Sequence, residues 1–227
     1  MSLPRQDTVC IVLAHGAARD TVDRHLPLWE AVAEQVAFVT PCDAQLSAGF
    51  REYSVGVNAK YGPENNRRVQ FALALGLRTT HPYIMLTEYD AVLWSAPPAD
   101  ALPAYGQSAG PLFTGPQRKF WHWEGKDFAG RSYMHFPQIH TRASARAILA
   151  AMDKLPMDAE HGLADRYMGL AIERAGVKVN NWLPRYAYTK DTLTLDDVAP
   201  CRDAIAAGAF ASHGLKSADV LNGILAK

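Results

Sequence analysis

Two carboxylates, Glu88 and Asp90, flank Tyr89 directly after the apolar run Tyr83-Ile84-Met85-Leu86-Thr87. In an extended chain, residues two apart face the same way, so both carboxylates can converge on one cation while Tyr89 points away. Mg²⁺ and Mn²⁺ take such oxygen ligands, commonly one or two carboxylates plus substrate phosphates. The pair reads either as a metal bridge to a diphosphate or as a polar turn after a strand. Its place at a strand's carboxyl end favours the first, because ligands in open α/β sheets bind there.

Three further positions carry matching chemistry. His213 offers a neutral imidazole as a third ligand, Gly214 permits close backbone approach, and Lys216 supplies a compact charge for phosphate. A surface histidine is the plainer reading of the first. Asp165 falls at the edge of a helical apolar arc formed by Leu163, Tyr167, Met168, Leu170, Ala171 and Ile172. A carboxylate half inside a packed face gains a raised pKa and suits proton acceptance from an attacking hydroxyl. The alternative is an acid stabilised at a helix N-terminus, with Asp158 and Glu160 as rival bases.

Weaker candidates lie upstream and between. Asp43, after the second strand, is placed to meet a base or ribose, or else belongs to a turn at Pro41-Cys42-Asp43. Asn65, Arg67 and Arg68 face a diphosphate or simply form a solvated helix face. The stretch Phe120-Trp121-His122-Trp123, followed by Phe128, Tyr133, His135, Phe136 and His140, is dense in aromatics, with Arg118, Lys119, Lys126 and Arg131 nearby. Trp121 and Trp123 are candidate stacking faces for an acceptor sugar or base, against the alternative that they are core. His135 and His140 do not have a zinc spacing and are assigned no metal.

One rival motif, Gly106-Gln107-Ser108-Ala109-Gly110, fits the hydrolase pattern Gly-x-Ser-x-Gly. That pattern is meaningful only between a core strand and a helix, and Pro103 and Pro111 flank it here. The dinucleotide glycine fingerprint and the phosphate-loop signal are absent from the sequence.

The elements that must position these residues follow from the hydrophobic pattern. Val9-Cys10-Ile11-Val12-Leu13-Ala14 reads as a central strand, residues 21 to 35 as a helix, and Val36-Ala37-Phe38-Val39-Thr40 as a second strand, a βαβ signature. Pro63-Glu64-Asn65-Asn66 opens a helix that Gly76 is expected to stop, and residues 83 to 87 form the next strand. Residues 95 to 118 hold five prolines (Pro97, Pro98, Pro103, Pro111 and Pro116) and read as loop. Residues 142 to 152 and 162 to 175 read as helices.

Composition bounds the function classes. Among 227 residues, 48% are hydrophobic and 20% charged, with 23 basic against 23 acidic side chains, so the chain can fill a core and is not disordered. Zero formal charge leaves no global basic field to gather a polyanion, which argues against a non-specific polyanion binder while leaving room for a local basic face. No run approaches the roughly 18 to 20 apolar residues of a membrane span, and Met1 to Asp7 has no apolar signal core. Cys10, Cys42 and Cys201 are too few and too scattered for a disulfide framework or zinc knuckle. The expectation is a soluble, cytoplasmic protein with reduced cysteines.

In the order of these elements and motifs the chain resembles the nucleotide-sugar glycosyltransferases of the GT-A fold. Glu88-Tyr89-Asp90 is similar to the family's Asp-x-Asp, Ala164-Asp165 with Glu173-Arg174-Ala175-Gly176-Val177 to its catalytic-acid helix, and Ser212-His213-Gly214-Leu215-Lys216 to its C-terminal metal and diphosphate segment. The first acid is Glu rather than Asp, and Ala164 stands where the family usually has Glu. The resemblance implies a single GT-A-like, Rossmann-related α/β domain over 1–227 with a mixed, mainly parallel sheet flanked by helices. About 1–95 would bind the nucleotide sugar, and about 96–227 would supply the acceptor side and the C-terminal metal segment. It implies Mn²⁺ or Mg²⁺ on Glu88, Asp90 and His213, a nucleotide-diphosphate sugar donor held by Asp43, Arg68 and Lys216, and Asp165 as base. The acceptor would be a glycan, a small molecule or a modified DNA base, the last disfavoured by the neutral charge. The other expectations are a non-catalytic sugar or nucleotide binding module, for which Ala164 speaks, and a serine hydrolase using Ser108.

Overall fold

A computed structural model describes residues 3–14, 18–46, 49–57, 62–113, 133–159, 163–189 and 192–226. In chain order its main elements are β1 (Thr8–Leu13), α1 (Arg19–Val32), β2 (Gln35–Thr40), β3 (Glu52–Ser54), α2 (Pro63–Arg78), β4 (Tyr83–Glu88) and β5 (Val92–Leu93). There follow β6 (Ser108–Gly110), β7 (Leu112–Phe113), β8 (Tyr133–Met134), β9 (Gln138–Thr141), α3 (Arg142–Met152) and α4 (Ala164–Ala175). The C-terminal part adds β10 (Val179–Asn181), β11 (Tyr186–Thr189), α5 (Val198–Ala206), β12 (Ala211–His213) and α6 (Ala218–Leu225).

The main sheet has seven strands in the order β10-β6-β9-β4-β1-β2-β3. β1 pairs in parallel with β2 and β4, β2 with β3, and β10 with β6, while β9 runs antiparallel between β4 and β6. The sheet is therefore mixed and mainly parallel, as the sequence implied.

Alternation along the central strands builds a three-layer core. Val9, Ile11 and Leu13 of β1, with Ile84 and Leu86 of β4, meet α2, α3 and α4 through Val69, Leu73, Ile148 and Met168. Cys10, Val12 and Met85 point the other way onto Val22 and Trp29 of α1, joined by Trp182 and Phe210. Every residue of β1 is buried, which is why its sequence is apolar without a polar face. A second sheet, β11-β12-β5, packs with α5 and α6 over Val92, Cys201, Leu215, Val220 and Ile224.

Two sequence expectations are corrected. Gly76 does not stop α2, which runs on to Arg78. A Cβ there would sit 2.4 Å from Ile84 Cγ2, so the missing side chain lets helix and strand approach. The span read as loop contains β6, a fully buried strand in the main sheet, although prolines flank it. Among the described residues no helix is long and apolar enough to cross a membrane.

Candidate functional site

β4 carries its last residue, Glu88, alongside Leu13, the last residue of β1. The chain then turns back on itself. Ala91 N–H donates to Glu88 O at 3.0 Å, so Tyr89 and Asp90 form the centre of a tight turn and are not extended. Convergence of the two carboxylates thus comes from the turn, not from the strand alternation expected from sequence.

After the turn β5 pairs antiparallel with β12, with Val92 opposite Ser212 and Leu93 opposite Ala211. Extending that register by one residue brings His213 beside the turn. Its Nε2 lies 3.0 Å from Glu88 Oε2 and 3.3 Å from Asp90 Oδ1. The ligand atoms of Glu88, Asp90 and His213 all fall within 4.8 Å of one another. Leu215 N–H donates to Asp90 O at 3.0 Å, fixing the segment that brings Lys216 Nζ to 3.4 Å from Asp90 Oδ2.

Asp90 is 2% exposed, and its buried Oδ1 has no hydrogen-bond partner among the described residues despite the nearby imidazole. A buried carboxylate oxygen left unsatisfied is costly unless something else meets it. Two carboxylates and an imidazole form a donor set that suits a divalent cation such as Mn²⁺, and the orphaned Oδ1 is directed at the same point.

Residues that sequence reasoning missed hold the turn. His25 Nδ1–H donates to Tyr89 O at 2.8 Å, Trp29 Nε1–H to Ala91 O at 3.1 Å, and Thr87 Oγ1–H to the same carbonyl at 2.9 Å. Burial lowers the pKa of His25, keeping it neutral. His135 stacks edge-on against His213 at a centroid distance of 4.2 Å, and its Nδ1 accepts the Phe136 N–H. Its pKa is held well below the ordinary value by burial and by the neighbouring His213. Tyr186 donates to Phe136 O, and burial first, then the charges of Asp90 and Glu88, push its phenol well up.

The remaining expected residues are distributed unevenly. Asp165, in the first turn of α4, is half-buried, and its carboxyl is pushed up to about 6 by burial first and then by Glu88, against the opposing pull of His213. Its Oδ1 accepts the Arg166 N–H at 2.9 Å. Ala164 is buried in the core, so that position has no room to present an acid. Arg68 lies on α2 at 8% exposure, where burial lowers its pKa while Glu88 and Asp43 favour the charged form; its Nη2 donates to Asn65 Oδ1 at 3.1 Å. Asp43 is exposed yet lies within that same field. Arg67 points outward and pairs with Glu64. Asp158 is exposed, whereas Glu160, Trp121 and Trp123 lie outside the described residues.

Asn66 links two of these elements. It is fully buried, and its Nδ2 donates to Met157 O and Ala159 O at 2.9 Å each. The helix carrying Arg68 thereby grips the loop that leads into α4.

Ser108 is buried in β6, and its Oγ meets His140 Nδ1 at 2.8 Å, while His140 Nε2 meets Gln138 Oε1 at 3.0 Å. All three side chains are inaccessible, and burial drives His140 to about 3. The strand-to-helix elbow of a hydrolase is absent, since β6 leads into β7. This is a buried polar network inside the sheet.

No protein-family model matches the chain, and no curated protein matches it. Among solved structures, the chain is similar to the 2-C-methyl-D-erythritol 4-phosphate cytidylyltransferase of Thermus thermophilus, at 15% identity and a TM-score of 0.52. That match covers 88% of this chain and 100% of the other. A Drosophila β-1,4-galactosyltransferase 7 mutant in complex with manganese, UDP-Gal and xylobiose matches at 12% identity and a TM-score of 0.41, over 77% of this chain and 64% of that one. What the first likeness shows is the fold, an α/β architecture of the GT-A-like, Rossmann-related kind.

Proposed function

We propose that the protein is a metal-dependent glycosyltransferase that moves a sugar from a nucleotide-diphosphate sugar to an acceptor hydroxyl or amine. One observation carries the reading. Glu88 and Asp90 at the end of a central strand meet His213 and Lys216, more than 120 positions later in the chain, at a single point. That combination would assist leaving-group departure from a nucleotide sugar: ligands for a divalent cation, and a separate positive charge for phosphate. A cation held by Glu88, Asp90 and His213 would neutralise charge on the departing diphosphate.

The chain's own residues supply the rest. Lys216, beside Asp90, and Arg68, within the field of Glu88 and Asp43, provide positive charge, and Asp43 would meet the nucleoside. Asp165 receives the acceptor proton at Oδ2, since Oδ1 already accepts a backbone N–H. Its raised pKa suits a base working near neutrality. The bond from the anomeric carbon to the diphosphate oxygen breaks as the acceptor bond forms. The second half of the chain, including Trp121 and Trp123, would supply the acceptor side.

A second reading, nucleotidyl transfer, is favoured by the fold likeness to a cytidylyltransferase. Both readings need the same cation but differ in products. Incubation with a panel of nucleotide-diphosphate sugars and Mn²⁺ should release free nucleoside diphosphate. Pyrophosphate release from nucleoside triphosphates with sugar or polyol phosphates would select the second reading. Binding of nucleotide with no turnover of either kind would leave a binding module.

A further inference from the structure

Lys216 combines a backbone bonded on both sides with a partly exposed charged end. Its N–H donates to Gly214 O at 3.0 Å, its carbonyl accepts from Thr21 Oγ1 at 3.4 Å, and the preceding Leu215 is bonded to Asp90 O. Gly214, at φ +88°, makes the bend that lets the segment close over the turn. The side chain is 38% exposed on a four-carbon stem, and its Nζ sits 3.4 Å from Asp90 Oδ2, on a carboxylate that is 3% exposed. Asp90, a candidate cation ligand, is thus already partnered by a partly exposed positive charge on a long stem.

We infer that Lys216 couples cation and diphosphate binding: it holds Asp90 in the absence of a divalent cation and is displaced toward the diphosphate when the cation takes that carboxylate. The inference rests on the proposed metal-dependent reading and extends it to the order of binding. Charge balance gives the reason. With Glu88 and Asp90 ionised, Lys216 offsets one of two negative charges; a divalent cation offsets both, and Lys216 becomes surplus positive charge at short range. Repulsion then favours rotation of Nζ away from Asp90, and an anionic diphosphate is the natural partner for it. Because the backbone is tied on both sides, a rotamer change suffices and no loop movement is required.

The coupling has a signature that loss of a simple phosphate contact lacks. Lys216→Met removes the competitor, so Mn²⁺ alone should bind more tightly, by about two- to five-fold, the worth of a partly exposed ion pair. In the same variant inorganic pyrophosphate, added at saturating Mn²⁺, should bind more weakly. Lys216→Arg should restore both toward the wild type. Mn²⁺ affinity can be read from the electron paramagnetic resonance signal of free ion, and pyrophosphate binding by calorimetry. Equal or weaker Mn²⁺ affinity in Lys216→Met overturns the inference while Asp90-dependent Mn²⁺ binding leaves the metal site standing. Absence of Mn²⁺ binding in the wild type, or binding that Asp90→Asn does not weaken, overturns the metal-dependent reading and the inference with it.

Discussion

The indole N–H of Trp29 donates to the carbonyl of Ala91 across 62 positions of sequence, at 3.1 Å, and so ties helix α1 to the turn that presents Glu88 and Asp90. Trp29 is fully buried against the sheet and packs edge-on to both His25 and Phe38. The same side chain therefore fills the core and aims the site. Thr87 bonds the same Ala91 carbonyl and His25 bonds that of Tyr89, so the turn is held at two points.

Trp29→Phe keeps most of the apolar contact and deletes the donor. Stability should fall by about 1–3 kcal/mol, from a lost buried bond and some lost volume. Mn²⁺ affinity should fall with it, by about tenfold, as when a group that orients a ligand is removed. Thermal unfolding with and without Mn²⁺ measures both effects. A lower Tm with unchanged Mn²⁺ affinity would confine Trp29 to the core.

A contrast within the turn tests the site directly. Asp90→Asn removes charge from the buried carboxylate, and Mn²⁺ affinity should fall by more than about tenfold. Tyr89→Phe, between the two acids, should leave the titration close to the wild type. Identical curves for the two variants would reject the metal site.

How much of this was legible beforehand depended on what each residue owes its neighbours. β1 and β4 could be read because strands covered on both faces are unbroken apolar runs, α3 because its burial follows the helical period, and Glu88, Asp90 and His213 stood out by type. The strands β6 and β9 could not, since Ser108, His140 and Gln138 are polar residues inside the sheet that satisfy one another across strands. A polar pattern of that kind looks like loop until its partners are known. His25, Trp29 and His135 escaped for a related reason: each acts on the site through tertiary contact, and nothing in its local sequence signals that. The turn at Tyr89 and Asp90 reads from sequence only as an alternative to the cation site, whereas in the structure the turn itself brings the two carboxylates together.

Asp165 should reveal itself by opposite effects on stability and on rate. Its folded pKa of about 6 exceeds the unfolded value of about 3.9. Between these values the native carboxyl keeps a proton that the unfolded one releases, so the group's contribution to stability is present at low pH and is lost as pH rises through about 6. Asp165→Asn should therefore raise the Tm of the metal-free protein at pH 7. It should also abolish transfer while donor binding persists, and wild-type transfer should decline at or below about pH 6 as the base protonates. Full activity in the variant would pass the role to Asp158 or Glu160.

His140 gives the complementary acid dependence. Burial holds it at about 3 in the fold, against about 6.5 when unfolded. As pH falls below about 6.5 the unfolded chain takes up a proton that the native state refuses, so stability declines progressively down to about pH 3. His135, also held low by burial, adds a parallel decline. Replacing His140 by Asn should lower the Tm at pH 7, because the Ser108 and Gln138 partnerships are disturbed. The difference in Tm between pH 7 and pH 5 should nevertheless shrink, since one of the three imidazoles that burial holds low, His25, His135 and His140, no longer titrates. The same burial predicts that a fluorophosphonate probe will not label Ser108 in the folded protein. Labelling that disappears in Ser108→Ala would restore the hydrolase reading, and an unchanged Tm difference would show that acid sensitivity arises elsewhere.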